Sequence, residues 1–304
     1  MTTGQHLGIT LTRRSRSLDT EPFHDELLTG IETVADQHGF SCLVQVVGDL
    51  DEELGCLRRW SLLGAVAGVV LTDIREQDPR PQLLRSRGLP FVLLGESPES
   101  EPESEPESEP QDRSAPQVPV DNYGAMRAAV AAVVDLGHRR IGRVAGPADL
   151  LHTQARGEAL AHAAQDLGLS TRTAYGDYSP ESGAQGVKLL LEHDQPPTAI
   201  IMDNALMAAA GVDAALTLGL RVPRDLSVLA WDDSALCALT DPPLSAMSHD
   251  VVALGHRVAE QLISALGGEP VADRTPPPTP VFVARGTTAA PPAEPRRTPP
   301  SHPH

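Results

Sequence analysis

Residues 120–146 read Val120-Asp-Asn-Tyr-Gly-Ala-Met-Arg-Ala-Ala-Val-Ala-Ala-Val-Val-Asp-Leu-Gly-His-Arg-Arg-Ile-Gly-Arg-Val-Ala-Gly146. Met126, Val130, Val133, Val134 and Leu136 fall near helical spacing with alanines between them, which predicts a helix. Gly137 supplies its stop, where the chain must turn left-handed. His138, Arg139 and Arg140 follow, where cations complement the carbonyl end of a helix. Ile141-Gly-Arg-Val-Ala145 is a short apolar strand that Gly146-Pro147 ends. The stretch is one αβ unit, and the same rhythm extends from it in both directions.

Upstream, Leu7–Leu11 is a strand followed by a polar loop, Thr12–Thr20. Pro22 opens a helix in the first turn, where proline costs least. Phe23, Leu27, Leu28, Ile31, Val34 and Ala35 form its apolar face, and Gly39 stops it. Strands are predicted at 40–47, 65–71 and 90–94, with helices at 52–63 and 81–88 between them. Downstream, helices are predicted at about 154–167, 182–192, 206–218 and 251–266. Strands are expected at 173–176, 199–202, 226–230 and 281–284, and Leu244–Ser248 reads as a crossing segment. Alternating β and α elements predict parallel sheets covered on both faces.

Length and composition set limits. The chain has 304 residues, room for two lobes of ~100–150 residues each. Hydrophobic residues make up 40% but aromatics only 3%, so aliphatic side chains and alanine must fill the cores. The net charge is −17, which makes the chain a poor nucleic-acid binder by itself, because phosphate neutralisation needs a basic face. Glu99–Pro110 repeats Glu-Ser-Glu-Pro three times. Such a segment buries no apolar surface and repels itself, so 97–117 is expected to be a disordered acidic insertion. Residues 1–6 and the Pro-rich 289–304 are expected to be disordered as well. Cys42, Cys56 and Cys237 show neither metal spacing nor a disulfide framework. No apolar leader or membrane span is visible, and the expectation is a cytoplasmic protein with no membrane association. No Walker loop, G-x-G-x-x-G, G-x-S-x-G elbow or metal grouping occurs, so neither cofactor, metal nor enzymatic activity is expected.

The ordered string Asp-Asn-x-x-Ala…Leu-Gly-His-Arg-Arg-Ile…Gly within residues 121–146 resembles the effector domain of LacI/GalR-family transcriptional regulators. Four further stretches carry the resemblance in the family's order. They are Leu7–Ile31; Arg156 twelve residues before Gly168; Ile200–Asn204 with Gly219–Asp233 and Asp241–Leu244; and Val281–Thr288 with its Arg-Gly-Thr-Thr. The resemblance implies an α/β, periplasmic-binding-protein-like type I fold, two Rossmann-like lobes with parallel sheets joined by three crossings. Residues 7–120 plus 247–268 would form the N-terminal lobe, and 121–246 plus 279–288 the C-terminal lobe. It also implies a homodimer that senses a small-molecule effector, expected to be a carbohydrate, between the lobes. The family places a helix-turn-helix and hinge helix before its first strand. Here Met1–His6 stands in their place, so operator DNA is expected to be contacted only through a segment this chain lacks. The alternative is a stand-alone solute-binding module with no DNA role.

Site residues follow from the resemblance one by one. Arg156 matches the family's ligand-clamping arginine, whose planar fork suits vicinal hydroxyls or a carboxylate; as a bare sequence feature it reads first as a surface arginine at a helix start. Asp232, after the apolar run 226–230, matches a hydroxyl-accepting aspartate, with a helix N-cap as the other reading. Asn204 matches the asparagine of the family's Asn-Asp pair, but Ala205 replaces the aspartate and Asp203 precedes the asparagine. Tyr178 falls where an aromatic often stacks on a sugar ring, with a half-buried loop tyrosine as the other reading. Phe23 is either core or cavity wall. Gly95 stands where many relatives carry an acidic residue, which points to an altered ligand. Deleting residues 99–110 should leave the melting temperature and ligand affinity nearly unchanged, because long surface loops add little closure entropy. A fall of many degrees in a thermal melt of the deletion variant would contradict the insertion reading.

Overall fold

The apolar runs and amphipathic helices sort into two sheets in the computed structural model, which describes residues 6–12, 21–95, 116–268 and 279–293. The first sheet takes β1 (His6–Thr12), β2 (Ser41–Val47), β3 (Gly68–Leu71), β4 (Phe91–Leu94) and β5 (Gln117–Val118). Their order is β2-β1-β3-β4-β5, all parallel. Helices α1 (Pro22–Gln37), α2 (Leu50–Leu63) and α3 (Pro79–Arg87) connect them. The second sheet takes β6 (Arg140–Ala145), β7 (Ser170–Tyr175), β8 (Ala199–Met202), β9 (Ser227–Ala230), β10 (Ser245–Ser248) and β11 (Val281–Val283). Its order is β11-β10-β9-β8-β6-β7, with β11 alone antiparallel. Around it run α4 (Asn122–Asp135), α5 (Leu151–Leu167), α6 (Pro180–Leu191), α7 (Ala205–Thr217) and the short α8 (Ala235–Leu239).

Helix α9 (Val251–Gly267) leaves the second sheet and returns to cover the first. It packs on α1 so closely that a Cβ on Gly30 would sit 2.1 Å from the Val252 carbonyl oxygen. One on Gly255 would sit 2.3 Å from that of Leu27. Only glycine fits at either position. Leu27, Ile31, Val34, Leu254, Val258 and Leu262 fill the core between these helices and the sheet, while Cys56, Leu57, Trp60 and Leu84 cover its other face. In the second lobe α6 and α7 cover one face and α4 and α5 the other. The chain passes between sheets after β5, after β10 and after α9.

Four expectations need correction. Pro116 and Gln117 are not part of an unstructured insertion: the Leu93 amide donates to the Pro116 carbonyl and Gln117 pairs with Leu93 in β5, while residues 97–115 lie outside the described residues. Leu244–Ser248 is not a crossing, since Ser245–Ser248 is β10 of the second sheet. Met247 and Ser248 therefore belong with the second lobe, and the crossing begins at His249. The tail does not come loose at 289: the Val228 amide donates to the Thr287 carbonyl, and the Ala289 amide to the Ser227 hydroxyl. Finally, His138 is not a helix-end cation. It is fully buried, and Arg139 caps α4 instead, donating to the Val134 carbonyl at 3.2 Å.

The His138 imidazole staples three segments. Nε2 lies 2.9 Å from the Ala289 carbonyl and 3.1 Å from Ser227 Oγ, and Nδ1 lies 2.9 Å from Thr198 Oγ1. With Nε2–H donating to Ala289, Nδ1 accepts from Thr198. Burial pushes the imidazole below its usual pKa, against the smaller upward pull of the Ala289 bond. The unfolded chain, near the reference value of about 6.5, therefore binds a proton more readily than the folded one. The stability this gives is full above that value and is lost as pH falls toward the folded pKa. Urea unfolding from pH 7.5 down to pH 5 should show stability falling in the wild type by up to about 1.4 kcal/mol per pH unit within that window. The fall should be shallower in His138→Asn. Equal slopes in both proteins would show that His138 is not the titrating group.

Candidate functional site

Parallel sheets leave their carboxyl ends open for ligands, and here those ends face each other across a cavity of about 280 Å³. The first lobe contributes the loop Thr72-Asp73-Ile74 after β3, Leu94 and Gly95 at the end of β4, and the start of α1. The second contributes the starts of α4 and α5, Tyr178, Asp203, and Trp231-Asp232 after β9. The crossing at His249-Asp250 and the first turns of α9 close the back.

Arg156, Asp232, Tyr178 and Phe23 border this space; Asn204 does not. Arg156 is 9% exposed. Its guanidinium lies over the Trp231 ring, 4.0 Å from the centroid, and Nε donates to Asn122 Oδ1 at 3.0 Å. Nη1 stands 3.6 Å from Asp203 Oδ2, close enough for attraction but not for a hydrogen bond. Both terminal amino groups thus remain without a hydrogen bond among the described residues. Asp203 itself is buried against Arg143, which donates to both oxygens at 2.8 and 2.5 Å. Burial alone would raise its carboxyl; the Arg143 charge and hydrogen bonds outweigh it and hold Asp203 below the ordinary carboxylate range.

Asp232 supplies the opposite polarity. It is 7% exposed. Its Oδ1 lies 3.2 Å from His249 Nε2, out of hydrogen-bonding alignment, and accepts no hydrogen bond from the described residues. Asp233 is turned away and paired with Arg285 at 2.7 Å. Just outside the cavity, burial raises the Glu26 carboxyl, with Asp232, Asp233 and Asp250 adding to the rise and His249 opposing it. The carboxylates of Glu26, Asp232 and Asp250 thus gather at the crossing, beside His249 and Arg257.

Tyr178 has a positive φ of 68°. Its ring fills the place of a side chain at Gly146, where a Cβ would sit 2.0 Å from Cζ. The hydroxyl meets His152 Nε2 at 2.6 Å. Burial pushes that hydroxyl well above its usual pKa, partly offset by Arg156, so it stays a donor. Phe23 serves both of its readings, packing on the first-lobe core while meeting His24 and His249 at 80° and 84°. Gly95 has φ 110° and open space around it, so backbone conformation favours glycine there.

Asn204 is the N-cap of α7. Its Oδ1 accepts from the Met207 amide at 2.7 Å, and Nδ2 donates to the Tyr178 carbonyl and, across the cleft, to Glu21 Oε1 at 2.7 Å. Its polar atoms are committed to the protein. At the other rim the Leu151 amide donates to the Ile74 carbonyl at 2.9 Å, and Arg75 Nε to Asp149 at 2.9 Å. The lobes are thus tied together on both sides of the cavity. Sequence reasoning missed Asn122, Trp231 and the cavity histidines 24, 152 and 249. Two of them gave a signal: Asn122 stands in the Asp-Asn-x-x-Ala string, and Trp231 beside Asp232 at a strand's end.

Residues 130–288 match the family described as periplasmic binding protein-like domain. A solved LacI family transcriptional regulator from Bifidobacterium animalis subsp. lactis is 30% identical, with a TM-score of 0.79 over 95% of this chain and 99% of the other. The chain belongs to the LacI family. Among curated members of the LacI family, it is 28% identical to the HTH-type transcriptional regulator CelR of Thermobifida fusca, over 86% of this chain and 75% of CelR. It is 34% identical to MalR of Streptomyces coelicolor, over 75% of this chain and 66% of MalR. The chain therefore spans about two thirds to three quarters of these LacI-family relatives. Its two-lobed body is the effector domain of the LacI fold, and no helix among the described residues is long and apolar enough to cross a membrane.

Because Asn204 bridges the lobes, Asn204→Asp keeps the cap but sets a carboxylate against Glu21. Like charges at that distance repel, so small-angle scattering should show a larger radius of gyration than the wild type while the fold persists. An unchanged radius would mean that this contact does not hold the lobes together.

Proposed function

We propose that this domain senses a neutral, hydroxyl-rich small molecule, a sugar or related polyol, held between the lobes. What carries the reading is the pairing of unspent groups in one enclosed space. Among the described residues the two terminal amino groups of Arg156 make no hydrogen bond, and Asp232 Oδ1 accepts none although His249 Nε2 lies 3.2 Å away. A guanidinium only donates and a carboxylate only accepts, while a sugar hydroxyl does both. Apolar side chains such as Ile74, Leu94, Leu151 and Leu254 around the cavity suit the C–H faces of a pyranose. CelR has been solved in complex with cellobiose. At 24% identity that chain speaks for the fold, so the ligand class here rests on the cavity's own chemistry.

The full regulator would act as a homodimer, with ligand occupancy setting the relation of the lobes and so the DNA affinity of a reading head outside this domain. The edge strand β2 supports an assembly, since Val44 and Val46 are 37% and 45% exposed and Leu62 and Leu63 of the adjacent α2 are more so. Exposed apolar edges of this kind are interaction surfaces.

Calorimetric titration of a panel of sugars and polyols, cellobiose included, tests the ligand reading. A charge-assisted hydrogen bond is worth about 1.5–3 kcal/mol. Arg156→Ala and Asp232→Ala should therefore each weaken binding by about tenfold to over a hundredfold. Sugar binding that survives both substitutions unchanged would remove these residues from the site. A tight purine or amino acid, with no sugar bound, would keep the cleft and overturn the ligand class.

A further inference from the structure

Arg143 has no exposed surface and does not border the cavity. It stands in β6 among Ile141, Val144 and Ala145, all buried. A charge in such a place must be paired. Its fork spans both oxygens of Asp203, and its remaining amino group donates to the Thr153 carbonyl at 3.1 Å. Thr153 lies in the first turn of α5, one turn before Arg156. One guanidinium therefore fixes the end of β8 and the start of α5 together.

The consequence for Arg156 follows from competition for a carboxylate. Asp203 Oδ2 is 3.6 Å from Arg156 Nη1. An ionised, buried aspartate with no other cation would draw the nearest guanidinium into a two-point pair. Arg143 already occupies both oxygens, and the Gly146 amide adds a third donor at 3.3 Å. Arg156 is left attracted but unbonded, resting on Trp231 and held at Nε by Asn122.

We propose that Arg143 is the positioning residue of this site: by saturating Asp203 it prevents Asp203 from capturing Arg156, and so keeps the terminal amino groups of Arg156 available to the ligand. This rests on the reading of Arg156 as a ligand residue, but the position of Arg156 can be followed without ligand. The protein has two tryptophans, and only Trp231 carries the Arg156 guanidinium on its face; Trp60 lies in the core of the other lobe.

The test uses Arg143→Met, Arg156→Ala, their combination, and Arg143→Met with Asp203→Leu. Tryptophan emission is recorded without ligand, and affinity is titrated with cellobiose. Arg143→Met should shift Trp231 emission toward that of Arg156→Ala and lower affinity by about tenfold or more, as for loss of one charged hydrogen bond. Adding Arg156→Ala to Arg143→Met should then cost little further, because residues acting as a unit are not additive. Since Arg143→Met alone strands a buried carboxylate and can fail to fold, the Arg143→Met/Asp203→Leu protein is the second arm, having no unpaired buried charge. It should restore both the emission and most of the affinity, since nothing remains to capture Arg156. Additive losses, or wild-type emission in folded Arg143→Met, would overturn the proposal. So would failure of the folded double variant to restore the emission. If cellobiose does not bind the wild type, the sugar reading is at fault for that probe, and the emission arm still decides the role of Arg143.

Discussion

A guanidinium taken out of water must take its counter-charge with it, and this chain does so once behind each wall of its cleft. In the second lobe Arg143 is paired with Asp203. In the first, Arg80 is 2% exposed and bonded to Asp78 and Glu53. It also donates to the carbonyls of Thr72 and Asp73 at 2.9 Å, the loop that borders the cavity and grips the opposite lobe through Ile74. Asp73 is held at φ 53°, a conformation that persists only when its surroundings determine it. Buried ion pairs are weak sources of net stability, but losing one partner strands a charge away from water, so each pair must be kept together. Both walls are shaped from behind by groups that the cavity does not reach.

The faces that meet across the cleft are then fixed by helix N-termini. Asp121, Asn204 and Asp250 are N-caps of α4, α7 and α9, each accepting from a backbone amide three residues on. In each of them one side-chain oxygen is spent on that cap, which separates them from Asp232, whose Oδ1 accepts nothing from the described residues. Around the cavity the aspartates therefore play two roles, caps at Asp121 and Asp250 and an uncapped carboxylate at Asp232, and the difference lies in which backbone amide stands nearby.

This explains how far the sequence could be read. The αβ rhythm from Asp121 to Gly146 and the glycine stops were legible because they are local. β10 was not: Ser-Ala-Met-Ser is short and carries little apolar signal, and it becomes a strand because β9 and β11 flank it. Arg156 and Asp232 were found through family likeness, with their surroundings invisible. Asn204 had the right type and place, but its cap and its reach to Glu21, 183 positions away, decide its use. Arg143 read simply as one position in an apolar strand, because its partner lies 60 positions on and no spacing encodes that. His138 reads as a helix-end cation for the same reason: Thr198, Ser227 and Ala289 enclose it from three distant segments.

The interleaving of the two sheets also matters while the protein is being made. All five strands of the first sheet have been synthesised by residue 118, yet the helix that covers one of its faces begins at Val251. Until α9 leaves the ribosome, Leu27, Ile31 and their neighbours lack their partner, and the glycine seam at Gly30 has nothing to close against. The whole second lobe except β11 is translated in that interval. The first 118 residues therefore emerge with an apolar face that, among the described residues, waits for α9 to cover it, and exposed apolar surface of that kind is what makes nascent chains prone to aggregate and depend on chaperones.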